Sequence, residues 1–283
     1  MSGKQFVLQL RSPDRPGIVA GIAPILAENG CDIRDANVFG DDDTGTFFVR
    51  LHLANDRLSK DELEQVILPQ TEQFGQDWVL HDLEYKTQVL VAVSKFDHCL
   101  WDLLHKWRIG SLPVEIVGIV SNHDDLRYIG DHFNVPFHHL PITKETKAEQ
   151  EAAFKQVIES TGTELLVLAR YMQILSDDFS ASLFGRCINI HHSFLPSFKG
   201  ARPYHQAHQR GVKLIGATAH YVTADLDEGP IIEQDVRRVD HSTSASAMVE
   251  IGREVEASVL SRAVKWHCEH RVALNGSRTV VMK

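Results

Sequence analysis

Asn189 and His191 stand two residues apart in the run Cys187-Ile188-Asn189-Ile190-His191, whose apolar and β-branched residues read as a buried strand. Residues i and i+2 of a strand share a face, so the amide and the imidazole lie side by side. An amide that donates a hydrogen bond, next to a ring that donates or exchanges a proton, suits an oxyanion forming at a carbonyl carbon under attack. Leu214-Ile215-Gly216-Ala217-Thr218-Ala219-His220-Tyr221-Val222 reads as a second strand and carries another imidazole, His220. The turn-forming run Thr223-Ala224-Asp225-Leu226-Asp227-Glu228-Gly229-Pro230 follows it. Asp227 supplies a carboxylate to act as a base or to position water. Beside His191 it would favour the imidazolium form, which makes the histidine an electrostatic donor and not the base. One oxyanion donor is worth about 10² to 10³ and a positioned base about 10² to 10⁴; their product reaches the low end of enzymatic accelerations. Asn at a strand end and Asp before Gly-Pro are also ordinary turn residues, so the combination carries the reading.

The elements that must position this set begin near Thr87. Val89 to Val93 and Val114 to Val120 are continuous apolar strands, the pattern of a sheet covered on both faces. His98 to Trp107, Asp124 to Phe133, Ala148 to Ser160, Asp177 to Phe184 and Ser244 to Cys268 have helical spacing, and Glu164 to Ala169 is a further strand. Alternating strands and helices predict a mostly parallel, Rossmann-like α/β sheet with helices on both faces. Functional groups then gather at the carboxyl ends of the strands, where Asn189, His191 and Tyr171 to Leu175 all fall.

The first part of the chain has a different grammar. Phe6 to Leu10 reads as a strand, Ile18 to Asn29 as a helix stopped by Gly30, and Ile33 to Phe39 and Thr46 to Leu53 as a hairpin. Ser59 and Glu62 form a capping box for a helix from Lys60 to about Phe74, which Pro69 is expected to kink or end. Trp78 to Tyr85 closes the unit as a strand. The order β-α-β-β-α-β predicts a small α+β, ferredoxin-like sheet with two helices on one face. The expected domains are therefore 1–85 and 86–283, joined without a Gly/Ser-rich or Pro-rich spacer.

Composition removes several classes. Of 283 residues, 43% are hydrophobic and 24% charged, ordinary for a globular protein, and the net charge of -9 has no basic cluster to offer a nucleic acid. No apolar run approaches the roughly 20 residues needed to cross a bilayer, and no signal-peptide core follows Met1. Four scattered cysteines without a C-x-x-C pair read as reduced thiols of a cytoplasmic protein. Sixteen histidines raise the question of a metal. His205 and His208, His191-His192 and His138-His139 match no metal-binding spacing, so none is expected.

Asp14-Arg15-Pro16-Gly17-Ile18-Val19, between the first strand and helix, resembles the signature of ACT domains. That resemblance implies pairing into a homodimer or homotetramer, and an amino-acid effector such as glycine or methionine near Asp14, Gly17, Ile18 and Asn37. Asn189-Ile190-His191, Leu195-Pro196, Gly200, His220, Val222-Thr223 and Leu226-Asp227-x-Gly229-Pro230 together resemble the core of formyltetrahydrofolate-dependent formyltransferases. With the ACT signature beside it, nearly the whole chain is similar to the formyltetrahydrofolate deformylase family. The resemblance implies a hydrolase that converts 10-formyltetrahydrofolate to tetrahydrofolate and formate, balancing the one-carbon folate pool and supplying formate for purine synthesis. No cofactor is implied, since the folate is the substrate. Asn189 then resembles the formyl-oxygen donor, His191 the catalytic imidazole, Asp227 the carboxylate that organises water, and His220 its supporting partner. Met172, Gln173, Ile174 and Leu175, with Tyr221, Val222, Thr223, Asp225 and Leu226, resemble the walls of a folate pocket.

Two other readings stay open: formyl transfer to an amine, and an amino-acid-sensing protein whose catalytic half is vestigial. Glycinamide ribonucleotide transformylases have a Gly-rich, phosphate-cradling turn after the first strand of this domain, whereas this chain has Ser94-Lys95-Phe96-Asp97-His98-Cys99-Leu100. A phosphorylated acceptor is disfavoured there, which fits water as the second substrate.

Overall fold

The computed structural model describes residues 3–74, 77–192 and 203–283, with side chains omitted at 70–74 and 203. Leu195, Pro196 and Gly200 of the motif read above lie outside the described residues.

The chain divides into two compact units. The first contains β1 (Lys4–Pro13), α1 (Ile18–Glu28), β2 (Asp32–Asp41), β3 (Thr46–Asn55), α2 (Lys60–Phe74) and β4 (Asp77–Asp82). Its antiparallel sheet has the order β2-β3-β1-β4. Phe6, Leu8 and Leu10 alternate along β1 and meet Ile18, Ile22 and Leu26 of α1 and Leu63 and Ile67 of α2, so one face of the sheet is the core. The capping box is formed: Glu62 Oε2 accepts from the Ser59 amide at 2.8 Å, and the Glu62 amide donates to Ser59 Oγ at 3.3 Å.

Both helices form close to their expected spans, and one strand ends early. α2 runs through Pro69 to Phe74, and α1 runs through Pro24. Both prolines are exposed, as are Ala20 and Gln65 four residues before them, so the carbonyls left without a helical partner have water available. β4 ends at Asp82, not Tyr85, because Asp82 makes a turn: its Oδ1 accepts from the Glu84 amide at 2.9 Å and its carbonyl from the Tyr85 amide at 3.2 Å.

The opposite face of this sheet carries polar side chains, and the chain's end covers it. Residues Glu269–Ala273 and Val280–Lys283 belong to the first unit, whereas the sequence reading placed all of 86–283 in the second. Arg50, 3% exposed in its side chain, donates to the carbonyls of His270 and Glu269, both at 3.0 Å. Gln9 also donates to His270, and the His81 and His270 rings stack 3.5 Å apart.

The second unit contains β5 (Thr87–Val93), α3 (His98–Arg108), β6 (Val114–Ser121), α4 (Arg127–Phe133), β7 (Phe137–His139), α5 (Lys147–Ser160), β8 (Leu165–Leu168), α6 (Asp177–Ser182), β9 (Cys187–His191), α7 (Pro203–Gln209), β10 (Leu214–Tyr221), β11 (Ile231–Arg238) and α8 (Ala245–Cys268). A short hairpin, β12 (Val272–Asn275) and β13 (Arg278–Val281), ends the chain. The large sheet has the order β11-β10-β9-β8-β5-β6-β7. Its pairs from β9 through β7 are parallel, while β9-β10 and β10-β11 are antiparallel. β5 and β8 lie in the middle with continuous buried runs, as strands covered on both faces require. Among the described residues, no helix is long and apolar enough to cross a membrane.

Burial, then the nearby charges of Lys60 and Arg50, push the His81 imidazole down to about 4. An unfolded chain returns it to about 6.5. Between these values the unfolded state binds the extra proton, so stability is complete above about pH 6.5 and falls as pH drops towards about 4. In denaturant unfolding, His81→Phe, which keeps the stack on His270 but cannot titrate, is expected to lose up to about 2 kcal/mol less than the parent between about pH 7 and about pH 5. Parallel losses in the two proteins would remove His81 as the cause.

Candidate active site

β9 and β10 pair antiparallel with Asn189 opposite His220 and Thr218 opposite His191. This register converts two separate strand patterns into one cluster. His220 Nδ1 lies 2.9 Å from the Tyr221 carbonyl oxygen, which can only accept, so Nδ1 carries a proton. Its Nε2 then faces the Asn189 amide nitrogen at 3.3 Å and Asp227 Oδ1 at 3.7 Å. His191 Nδ1 donates to Asp227 Oδ2 at 3.2 Å. The carboxylate is thus held between the imidazoles of two neighbouring strands.

Asp227 is reached by a backbone that few residues adopt. Its φ of 59° is left-handed, a region where Asp is among the better-tolerated side chains. Two residues later, a Cβ on Gly229 would overlap the Tyr221 carbonyl oxygen that accepts from His220. The Tyr221 amide also donates to the Pro230 carbonyl at 2.9 Å. Gly229 and Pro230 therefore lock the Asp227 turn against the strand carrying His220. Burial alone would push the Asp227 carboxyl up, but hydrogen bonds from His191 and His220 and their charges outweigh it, and the group sits well below the usual carboxylate range.

Asn189, His191, His220 and Asp227 line one cavity of about 320 Å³. Two strips of chain form its walls, 170–175 and 222–227. Of the expected wall residues, Met172, Gln173, Ile174, Leu175, Val222, Thr223, Asp225 and Leu226 line it. Met172, Ile174 and Leu226 are more than half exposed, so they form an apolar mouth; Leu175 and Val222 also belong to the core. Ser94 and Glu151 fix the first strip from behind. Ser94 Oγ accepts from the Met172 amide at 2.9 Å and donates to Asn122 at 2.7 Å, while Glu151 accepts from the amide and hydroxyl of Ser176.

Tyr221 is the exception among the wall residues. Alternation along β10 sends it to the side opposite His220, where its hydroxyl bonds His267 Nδ1 at 2.7 Å, and it does not line the cavity. Among the lining residues that the sequence reading did not name are Arg170 and His192. His192 stacks on His191 with ring centroids 4.9 Å apart, and burial, then Arg170 and His191, push it down to about 4. A histidine directly after His191 was a usable signal. Arg170 had none, because its partner Glu256 lies on α8.

Four residues of the first unit, Asp14, Gly17, Ile18 and Asn37, are the amino-acid candidates. Gly17 precedes α1 with φ of 96°, Ile18 is a core side chain, Asp14 Oδ2 lies over Gly40, and Asn37 Oδ1 is buried without a hydrogen-bond partner among the described residues.

His98, Cys99 and Glu256 bring possible metal-ligand atoms within 4.8 Å of one another. Their chemistry fits a hydrogen-bonded ion pair better. Burial, then the Glu256 charge, push the Cys99 thiol well up, and Glu256 already accepts from His98 Nε2 at 2.8 Å and Tyr204 at 2.7 Å with the Arg170 guanidinium alongside.

Two family models match the chain: formyl transferase over residues 87–264 and ACT domain over residues 6–66. A formyltetrahydrofolate deformylase of Corynebacterium sp. (strain P-1) is 49% identical over 281 residues, 99% of this chain and 98% of its own length. The Escherichia coli (strain K12) protein of the same name is 42% identical, covering 98% of each chain. A crystal structure of the Burkholderia mallei formyltetrahydrofolate deformylase superposes with a TM-score of 0.94 at 52% identity, over 99% of this chain and all of that one. A glycinamide ribonucleotide transformylase from Symbiobacterium toebii matches 70% of this chain and 95% of its own with a TM-score of 0.64 at 26% identity.

The Gly229 contact predicts that Gly229→Ala destabilises the protein by about 3 kcal/mol, measured as a lower denaturant midpoint, because the new methyl has only backbone to displace. An unchanged midpoint would show that the Asp227 turn does not rest on this approach.

Proposed function

The chain belongs to the formyltetrahydrofolate deformylase family, and we propose on that footing that it hydrolyses 10-formyltetrahydrofolate to tetrahydrofolate and formate. The observation that carries the reading is the meeting of Asn189, His191 and Asp227 in one cavity, at distances that let an amide, an imidazole and an ionised carboxylate act on one carbonyl group. The cavity volume lies in the range that holds small organic ligands. Met172, Ile174 and Leu226 offer apolar surface to flat rings, and backbone groups of both strips offer polar partners.

In this mechanism a water hydrogen-bonded to Asp227 attacks the formyl carbon. The Asn189 amide and the His191 ring nitrogen not bonded to Asp227 stabilise the oxyanion. Collapse breaks the bond between the formyl carbon and the folate nitrogen. One proton of the water ends on that nitrogen, the other is released, and formate departs. A carboxyl held so far down is a weak proton acceptor, so Asp227 acts by orienting water and holding His191 rather than as a strong base. No step uses a cofactor, and the folate is consumed as substrate.

We further propose that the ACT unit pairs with a second copy and binds an amino acid such as glycine or methionine. β2 is an edge strand with Ile33, Val38 and Phe39 exposed, a surface suited to pairing into a homodimer or homotetramer. The unpartnered Asn37 Oδ1 offers an acceptor for an ammonium group. The four cysteines are buried and none is in a disulfide, which accords with a cytoplasmic, reducing setting.

Two measurements test these readings. Formate should be released from 10-formyltetrahydrofolate with no amine present, and Asp227→Asn should lower kcat by about 10² to 10⁴ while KM changes little; full turnover by that variant would end the mechanism. Calorimetry on the full-length protein with glycine and with methionine should show saturable binding that Asn37→Ala weakens, and no heat from either would end the effector reading.

A further inference from the structure

Arg170 follows β8 with φ of 65°, a backbone position that a long side chain rarely occupies. Its side chain is 11% exposed and lines the cavity that holds Asn189, His191 and Asp227. The guanidinium lies 5.1 Å from the Phe96 ring, with Arg253 near the same ring at 5.9 Å. Its Nε stands 3.4 Å from Glu256 Oε2 and makes no hydrogen bond among the described residues. The pair is held by charge, not by the two-pronged fork that arginine and carboxylate form when optimally placed.

Glu256 is 1% exposed. It accepts from Tyr204 on Oε1 and from His98 on Oε2. Tyr204 reaches it by crossing Gly252, one turn earlier on α8, where any Cβ would strike the phenol ring. Burial pushes the Glu256 carboxyl up, but His98 and the Arg170 charge prevail and it lies below its ordinary value. A carboxylate this deeply buried is held by positive charge, and the Arg170 guanidinium is the permanent cation that lies against it. Arg170 lines the same cavity as Asn189, His191 and Asp227 and also stands against Glu256, so a cation that took its place would lie beside the reacting groups.

We propose that Arg170 determines acceptor specificity: its guanidinium fills, on Glu256, the place that the ammonium group of an amine acceptor would take, and so leaves water as the only nucleophile at the formyl carbon. The proposal rests on the hydrolytic reading above. With the guanidinium gone, Glu256 would collect a primary amine from solution. Held there as an ammonium ion, it would first release one proton to water; the free amine nitrogen would then bond to the formyl carbon and lose a second proton, the bond from that carbon to the folate nitrogen would break, and the folate nitrogen would gain one proton. The products would be tetrahydrofolate and an N-formyl amine in place of formate.

The test compares the parent enzyme, Arg170→Ala, Arg170→Lys and Arg170→Ala/Glu256→Gln, supplied with 10-formyltetrahydrofolate and glycinamide as a small primary amine. Formate and N-formylglycinamide are quantified separately. Arg170→Ala is expected to form N-formylglycinamide roughly tenfold or more faster than the parent, at the expense of formate. Arg170→Lys, which keeps a cation on Glu256, and the double variant, which removes the carboxylate charge, should both return to formate alone. Guanidinium ion added at low concentration to Arg170→Ala should suppress the N-formyl product, an effect no general loss of structure would give. Formate as the sole product of a folded Arg170→Ala at every amine concentration overturns the proposal. So does equal amine formylation by the parent enzyme. If Arg170→Ala does not fold, Arg170→Met with the same guanidinium titration carries the same two outcomes. A parent enzyme that releases no formate without amine would instead defeat the hydrolytic reading.

Discussion

A carboxylate half-sunk in a cavity wall must be paired, and the pairing of Asp227 governs how the second unit is built. Its two partners, His191 and His220, come from adjacent strands. The sheet runs parallel as far as β9 and then reverses, and that reversal sets Asn189 directly opposite His220. Opposed residues of an antiparallel pair stand close enough for side chains to bond across, which the slanted bonding of a parallel pair does not arrange in the same way. The left-handed Asp227 and the Gly229 contact then bring the carboxylate back over both rings. One electrostatic requirement accounts for the strand reversal, the turn and the order of the Leu226-Asp227-x-Gly229-Pro230 motif.

The first unit meets a similar requirement by different means. Arg50 is buried in a sheet face that also carries Gln9, His52 and His81. Apolar side chains laid over such a face would leave its donors unsatisfied. The carbonyls of Glu269 and His270 satisfy the donors of Arg50 and Gln9, while the rings of His81 and His270 supply the packing. Main-chain carbonyls are suitable cover because they accept hydrogen bonds without adding a charge that must itself be compensated.

Local periodicity explains what could be read in advance. The alternation in Cys187 to His191 placed Asn189 beside His191, the continuous runs of β5 and β6 marked strands of a sheet covered on both faces, and Ser59 with Glu62 marked the start of α2. The same rule, followed one residue further along β10, would have turned Tyr221 away from the cavity. β11 was not legible, because a half-polar edge strand has only weak alternation. The return of Glu269–Ala273 to the first unit and the pairing of Arg170 with Glu256 join residues far apart in the chain, and no local pattern records such a partnership. Arg170 falls just after the strand read as Glu164 to Ala169, and Glu256 is one more polar position on the helix read as Ser244 to Cys268.

The cavity therefore has two ionised carboxylates near it, compensated by chemically different partners. Asp227 is held by two imidazoles, rings whose nitrogens can each donate or accept a hydrogen bond, so its partners can take part in proton transfer at the reacting carbon. Glu256 has a guanidinium beside it, which does not deprotonate in a protein, so that pair stays electrically fixed while protons move nearby. If these partners were exchanged, a permanent cation would lock Asp227 and remove the proton-exchanging ring from the reaction, while Glu256 would be free to draw a proton or a cation from the cavity. The division lets two buried negative charges lie close to one reacting centre with only one of them taking part in its chemistry.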